Sequence, residues 1–166
     1  VFWGSTFIAS NYHVKTYCEN PLGTEKKIAL TFDDGPNQMT LLVLDVLKKH
    51  NAKATFFCIG KNIEAHPDIL KRTIEEGHTV GNHTQNHLNG WKINDASYLN
   101  NIELAAQHIQ SNLFRPPYGR MKKSQAKQLM LANANTKIIM WDVLSGDFDI
   151  HLSPQKCFQN VTKYAT

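Results

Sequence analysis

The run Ala54-Thr55-Phe56-Phe57-Cys58-Ile59 is continuously apolar apart from one threonine. A strand with one wet face alternates apolar and polar residues. A strand without alternation is covered on both faces, the condition of a parallel sheet sandwiched by helices. Comparable runs recur along the chain: Lys27 to Phe32, Thr79-Val80-Gly81, Leu113-Phe114-Arg115 and Lys137 to Trp141. Helical periodicity fills the spaces between them. From Thr40 to His50, Leu41, Leu44 and Leu47 repeat at i, i+3, Val43 and Val46 widen the stripe, and Asn51 marks a stop. A helix after Gly60, broken or restarted at Pro67, is expected to run to Glu76 with Gly77 as its stop. Asp95 to Ser111 is expected as a helix capped by Asp95, with Leu99, Ile102, Ala106 and Ile109 on one face. Ser124 to Ala132 and a last helix from Ser153-Pro154 to about Tyr164 complete the set. The first 25 residues are less regular: Phe7 to Ala9 and His13 to Tyr17 read as short strands, and Asn20-Pro21-Leu22-Gly23 as a turn.

Strand and helix thus alternate about five times, which predicts an α/β fold with parallel strands. No glycine-rich loop follows the first long strand, which counts against a nucleotide-binding sheet. A closed (β/α) barrel takes about 250 residues. A chain of 166 residues therefore predicts a single domain with a reduced barrel, short or incomplete at its C-terminal end.

Composition mainly excludes. The net charge of +4 is spread over short pairs such as Lys26-Lys27, Lys48-Lys49 and Lys122-Lys123, and no nucleic-acid-binding motif is present. No stretch approaches the about 18 apolar residues of a membrane span. Val1-Phe2-Trp3 lacks the charged flank and length of a signal peptide, so the sequence reads as a processed product or an excised domain. Cys18, Cys58 and Cys157 are too scattered for a zinc or disulfide motif. A Cys18–Cys157 bridge is conceivable. Cys58 reads as a buried thiol with no base beside it, not a nucleophile.

The informative polar residues follow strand ends. Asp33-Asp34 comes after the first long strand, His83 and His87 after the next but one, Arg115 and Tyr118 after Leu113-Phe114, and Asp142 and Asp147 after the last. In a parallel α/β fold these ends share one face. Adjacent side chains on a strand point to opposite faces, so Asp33 and Asp34 are expected where the strand ends and the backbone turns. Two like charges there call for a cation. His83-Thr84-Gln85-Asn86-His87 has the i, i+4 spacing that brings two imidazoles to one metal when helical or tightly turned. Two imidazoles and one carboxylate form a three-ligand site with an open position, the catalytic pattern. The other Asp is then free to act as base, with Arg115 holding it. Tyr118 or its backbone N–H is a candidate donor to an oxyanion. Pro117, Trp141 and Phe148 are candidate pocket-lining residues. The other histidines (His13, His50, His66, His78, His108 and His151) read as surface or helix-end residues.

Thr31-Phe32-Asp33-Asp34-Gly35, His83-Thr84-x-x-His87, Arg115-Pro116-Pro117-Tyr118-Gly119 and Trp141 to Phe148 resemble, in order, the first four motifs of the polysaccharide deacetylases, carbohydrate esterase family 4. The resemblance covers roughly residues 27 to 150. It implies a deformed (β/α) barrel that removes acetyl groups from N-acetylglucosamine polymers with a divalent metal. It implies Asp33 as general base; Asp34, His83 and His87 as ligands; Arg115 as the residue orienting the base; the Tyr118 N–H at the oxyanion; and Asp147 as the carboxylate tuning a catalytic histidine. Phe148 stands where the family more often has Trp. The family's fifth motif, a Leu-x-His supplying the general acid, has no match before Thr166, so that histidine is expected beyond it.

The expected activity is N-deacetylation of a peptidoglycan- or chitin-like glycan outside the cytoplasm. The alternatives are an O-acetyl esterase, for which a missing acid matters less, and a non-catalytic glycan-binding domain. The ligand set favours zinc but also suits cobalt, nickel or iron. No nucleic acid partner is expected, and oligomeric state is left open.

Overall fold

In a computed structural model the described residues are 16–17 and 28–164. Six strands form one all-parallel sheet: β1 (Thr16–Tyr17), β2 (Leu30–Gly35), β3 (Ala54–Cys58), β4 (Thr79–Asn82), β5 (Leu113–Phe114) and β6 (Lys137–Ile139), in the order β1-β6-β5-β4-β3-β2. The helices are α1 (Gln38–Lys49), α2 (Gly60–Ala65), α3 (Pro67–Glu75), α4 (Asp95–Ala106), α5 (Lys123–Ala132) and α6 (Pro154–Tyr164). The sheet curls like a barrel without closing: among the described residues nothing pairs β1 with β2. Among the described residues no helix is long and apolar enough to cross a membrane.

The two sheet faces differ. Phe56 and Cys58 of β3 pack outward with Leu44, Leu47, Ile63, Ala105 and Ile109, and Phe114 and Ile138 pack with Tyr98, Ile102, Ala126 and Leu129. Burial of such side chains contributes about 1.5–3 kcal/mol each. The opposite face of β3 carries Phe57, fully buried, beneath the Arg115 guanidinium. Gly81 faces that ring, and a Cβ there would come within 2.5 Å of it. The concave interior is thus built on one buried cation.

Several elements shift from the sequence reading. The first long strand is Leu30–Gly35, not Lys27 to Phe32, because Leu30 pairs with Ala54 and Ile28 is exposed. The two Asp residues lie inside the strand, where a register shift between Asp33 and Gly35 accommodates them. Asn37 and Thr40 form a capping box that starts α1 two residues early, and Val46 faces solvent. Asn94, not Asp95, caps α4, accepting from the Ser97 N–H. That helix stops at Ala106 and buries Tyr98, Asn101, Ile102 and Ala105, so Ala106 is exposed and Ile109 packs from beyond the helix. Ile59 precedes α2 rather than ending β3, and β6 stops at Ile139. His78 is not a surface residue: its Nδ1 accepts from the Ala54 N–H at 3.2 Å, and its ring edge meets Phe56. Burial, and then the charge of Lys53, lower its pKa, which suits a neutral acceptor. Cys157 is a free thiol among the described residues, and Cys18, the other half of the conceivable bridge, lies outside them. Phe7 to Ala9, His13, Asn20 to Gly23 and Lys26-Lys27 lie outside the described residues.

Candidate metal centre and active site

β2 delivers both carboxylates. Thr31 and Asp33, two apart, share the concave face, and one nitrogen of Arg115, Nη1, donates to both: 2.8 Å to Thr31 Oγ1 and 2.7 Å to Asp33 Oδ1. At Asp34 the backbone enters the left-handed region (φ 67) within the bulge. That twist turns the second carboxylate away from the first and towards the loop after β4. The Asn62 side-chain amide pins the bulge by donating to the Asp34 carbonyl at 2.8 Å.

The loop after β4 is tightly turned rather than helical, with Thr84 (φ 65) and His87 (φ 54) both left-handed. Buried amides hold it. Asn82 accepts from the Thr84 N–H and donates to the Ile102 carbonyl, and Asn101 accepts from the Asn86 N–H. Both imidazoles then reach Asp34. His83 Nε2 lies 3.4 Å and His87 Nε2 3.0 Å from Asp34 Oδ1. The three residues form a metal-competent cluster with ligand atoms within 4.8 Å of one another.

The donor chemistry fits a divalent ion. His83 Nδ1 lies 2.8 Å from the Arg115 carbonyl. A carbonyl only accepts, so Nδ1 carries a proton and Nε2 is the ring atom left to meet Asp34. A ring nitrogen and a carboxylate oxygen in contact share a positive centre, either the proton of a charged ring or a metal ion held by both. Zinc bonds of about 2.0–2.2 Å put tetrahedral ligands about 3.3 Å apart, close to both separations. The Asp34 carboxyl is held far below the usual carboxylate range, first by hydrogen bonds from His83 and then from His87, with burial opposing.

Arg115 makes the floor. It is fully buried, with Phe57 4.1 Å and Trp141 5.6 Å from its guanidinium carbon. Besides Thr31 and Asp33 it donates through Nε to the Ile139 carbonyl and through Nη2 to the Met140 carbonyl, at 3.2 and 3.0 Å. Burial pulls its pKa down and Asp33 works against that. Pro116 and Pro117, which follow it in the chain, are also buried. Tyr118 follows in the left-handed region (φ 60), its half-exposed ring 4.6 Å from that of His87. Among the described residues no acceptor takes the Tyr118 amide N–H. Burial pushes the Cys58 thiol up to about 12, with the charge of Asp33 adding, as suits an inert thiol.

The structure therefore brings together Asp33, Asp34, His83, His87, Arg115 and Tyr118, with Pro117 and half-buried Trp141 beside them. It does not bring in the remaining two candidates. Asp147 is exposed, its carboxylate accepts the Ser145 hydroxyl, and no contact joins it to Asp33, Asp34, His83 or His87. Phe148 is 74% exposed. Thr31, Asn82 and Asn101 escaped the sequence reading. Thr31 was within reach of it, because a polar residue two before Asp33 on a buried strand must find a partner on the same face. The two Asn residues gave no such signal.

Residues 22–136 match the sequence model of the polysaccharide deacetylases. The chain belongs to the polysaccharide deacetylase family. A Bacillus cereus peptidoglycan-N-acetylglucosamine deacetylase is 42% identical over 130 residues, 74% of this chain and 46% of that protein. Listeria monocytogenes peptidoglycan-N-acetylglucosamine deacetylase PgdA is 41% identical over 132 residues, 75% of this chain and 27% of its own length. The crystal structure of the Bc1960 peptidoglycan N-acetylglucosamine deacetylase superposes with a TM-score of 0.77 at 39% identity, covering 82% of this chain and 65% of that one. The chain thus spans about half or less of the length of these curated relatives. The deacetylase fold and its open, curled parallel sheet agree with the deformed barrel expected from the sequence.

Proposed function

We propose that residues 1–166 form a metal-dependent N-deacetylase domain acting on N-acetylglucosamine in a peptidoglycan- or chitin-like glycan, outside the cytoplasm. One observation carries this reading: the Asp34–His83–His87 cluster stands beside a second carboxylate, Asp33, that a buried arginine holds apart from it. The peptidoglycan deacetylases among its relatives support the substrate class.

Asp34, His83 and His87 would hold the ion, most naturally zinc. When bound, it supplies Lewis acidity towards the acetyl carbonyl and towards water. Asp33 takes the proton of the attacking water. Its Oδ1 is committed to Arg115, so Oδ2 receives that proton. Arg115 fixes the carboxylate in position and supplies its counter-charge. The Tyr118 N–H donates to the carbonyl oxygen as negative charge gathers there. Pro117 and Trp141 line the approach of the sugar.

The test is acetate release from peptidoglycan and from chito-oligosaccharides by the full-length protein, with and without chelator. Release that chelation abolishes and zinc restores is the expected outcome. Metal-loaded protein that frees no acetate from any N-acetylated glycan overturns the proposal.

A further inference from the structure

Beyond the reacting centre stands an exposed aromatic ring that is fixed in place. Trp91 lies on the short turn Gly90–Lys92 after His87 and is 57% exposed. Its indole N–H donates to the Met121 carbonyl at 3.1 Å. The neighbouring Gly90 N–H donates to the Arg120 carbonyl at 3.1 Å, and the buried Gln125 amide donates to the Gly90 carbonyl at 2.9 Å. A Cβ at Gly90 would collide with the backbone at Arg120 and Met121, 2.8 Å away. Two loops, one leaving β4 and one leaving β5, are thus locked edge to edge with the ring outside. The Arg120 guanidinium carbon sits 5.0 Å from the indole centroid. Arg120 is exposed and has no carboxylate partner among the described residues, and Lys92, next to Trp91 in the chain, is also exposed.

The placement ties this pair to the site. Tyr118, two residues before Arg120, packs on His87, and two extended residues span at most about 7 Å. Trp91 is four residues past His87. A rigid exposed ring presents a negative π face to the polarised C–H bonds of a sugar. A free guanidinium offers a planar fork to a carboxylate.

We infer that Trp91 and Arg120 form a subsite for the sugar next to the one deacetylated, and that this neighbour carries a carboxylate. The inference rests on the proposed glycan substrate. The indole stacks on the pyranose, and Arg120 pairs with the acidic substituent, Lys92 adding positive charge on the turn that carries Trp91. A neutral homopolymer would leave the cation unused.

The test compares peptidoglycan fragments released by lysozyme and freed of their peptides by an amidase, which leaves the lactyl groups as free carboxylates, with neutral chitopentaose. KM and kcat are read from acetate release, and Kd from calorimetry on the Asp33→Asn protein. W91A should raise Kd and KM for both glycans roughly fivefold with kcat within about twofold, and W91F should recover most of the loss. R120Q should raise both constants roughly fivefold for the peptidoglycan fragments only. R120K should restore them, and the difference should fade at high salt. Metal content and melting temperature stay at wild-type values in R120Q, so a fold defect in W91A would not hide the result. Unchanged Kd in both variants overturns the subsite. So does an equal loss on chitopentaose in R120Q, which would make the cation a mere prop for the ring. Trp91-dependent binding without any acetate release would fault the deacetylase reading while upholding the subsite.

Discussion

Arg115 offers the sharpest test of how this fold is held. It leaves the end of β5 and bonds Thr31 and Asp33 on β2 as well as the carbonyls of Ile139 and Met140 at β6. In the sheet β2 lies three places from β5 on one side and β6 lies one place away on the other. The guanidinium therefore spans the concave interior as a strut, and the curl of the sheet depends on it. Removing one partner of a buried pair costs about 3–5 kcal/mol. Stranded carbonyls add about 1–3 kcal/mol each, so Arg115→Ala would consume most of the about 5–15 kcal/mol that a domain has. Arg115→Lys is the usable variant. It keeps the charge, but one ammonium cannot span four acceptors on two strands, and the expected loss is about 2 kcal/mol. Urea unfolding should report it as a midpoint lowered by about 1 M at unchanged slope. The measurement belongs in chelator, because a bound ion would add its own stabilisation. Thr31→Val should cost about 1 kcal/mol, since Nη1 keeps Asp33. A double-mutant cycle between Arg115→Lys and Asp33→Asn should give a coupling of about 1–3 kcal/mol. A lysine variant within about 0.5 kcal/mol of wild type, or strictly additive single changes, would refute the strut.

Two further predictions bear on the site and on its support. Asp33→Asn should keep metal affinity and lower kcat about 10²–10⁴-fold, whereas Asp34→Asn and His83→Ala should lose the metal, as calorimetry with zinc would show. An emptied site in Asp33→Asn would mean that the two roles are reversed or shared. His78 has a depressed folded-state pKa, so the unfolded chain binds its proton more readily and stability falls as pH drops below about 6.5. His78→Leu should flatten the slope of stability between pH 7 and 5 relative to wild type, while costing about 1–3 kcal/mol at pH 7 through the orphaned Ala54 N–H.

The order of strands and helices was legible because both-faces-buried strands are apolar throughout and helices keep their period. Strand and helix ends were less so. Lys27 to Phe32 was misplaced by three residues at each end because its apolar content begins before its pairing does. The candidate metal ligands were legible because two separate strand ends, those of β2 and β4, carried them. The division of labour between Asp33 and Asp34 was legible only in outline: the pair was expected where the strand stops, yet the strand continues and a bulge separates the side chains. His78 was misread because nothing in the sequence around a helix end reports that a distant strand will need an acceptor there. Asp147 followed the right strand, but its actual partner is Ser145, two residues away.

Five described non-glycine residues adopt left-handed backbone: Asp34, Asn51, Thr84, His87 and Tyr118. Asn51 ends α1, where asparagine suits the position. The other four lie in or next to the Asp34–His83–His87 cluster, and such conformations cost about 1–2 kcal/mol each. Strain collected at one face points to geometry kept for chemistry, and Tyr118 allows that idea to be tested on a residue that is not a ligand. If its backbone N–H is the oxyanion donor, the phenol hydroxyl is dispensable and the left-handed pose is not. Tyr118→Phe should then keep kcat. Tyr118→Gly, free of the steric penalty, should unfold at the same urea midpoint or slightly higher. Tyr118→Val, whose branched side chain resists positive φ, should lose about 1–2 kcal/mol and about 10²–10³-fold in kcat as the N–H swings away. Acetate release and urea unfolding on the three variants separate the possibilities. A Phe variant as crippled as the Val variant would transfer the role to the hydroxyl, and the strain at Tyr118 would then need another cause.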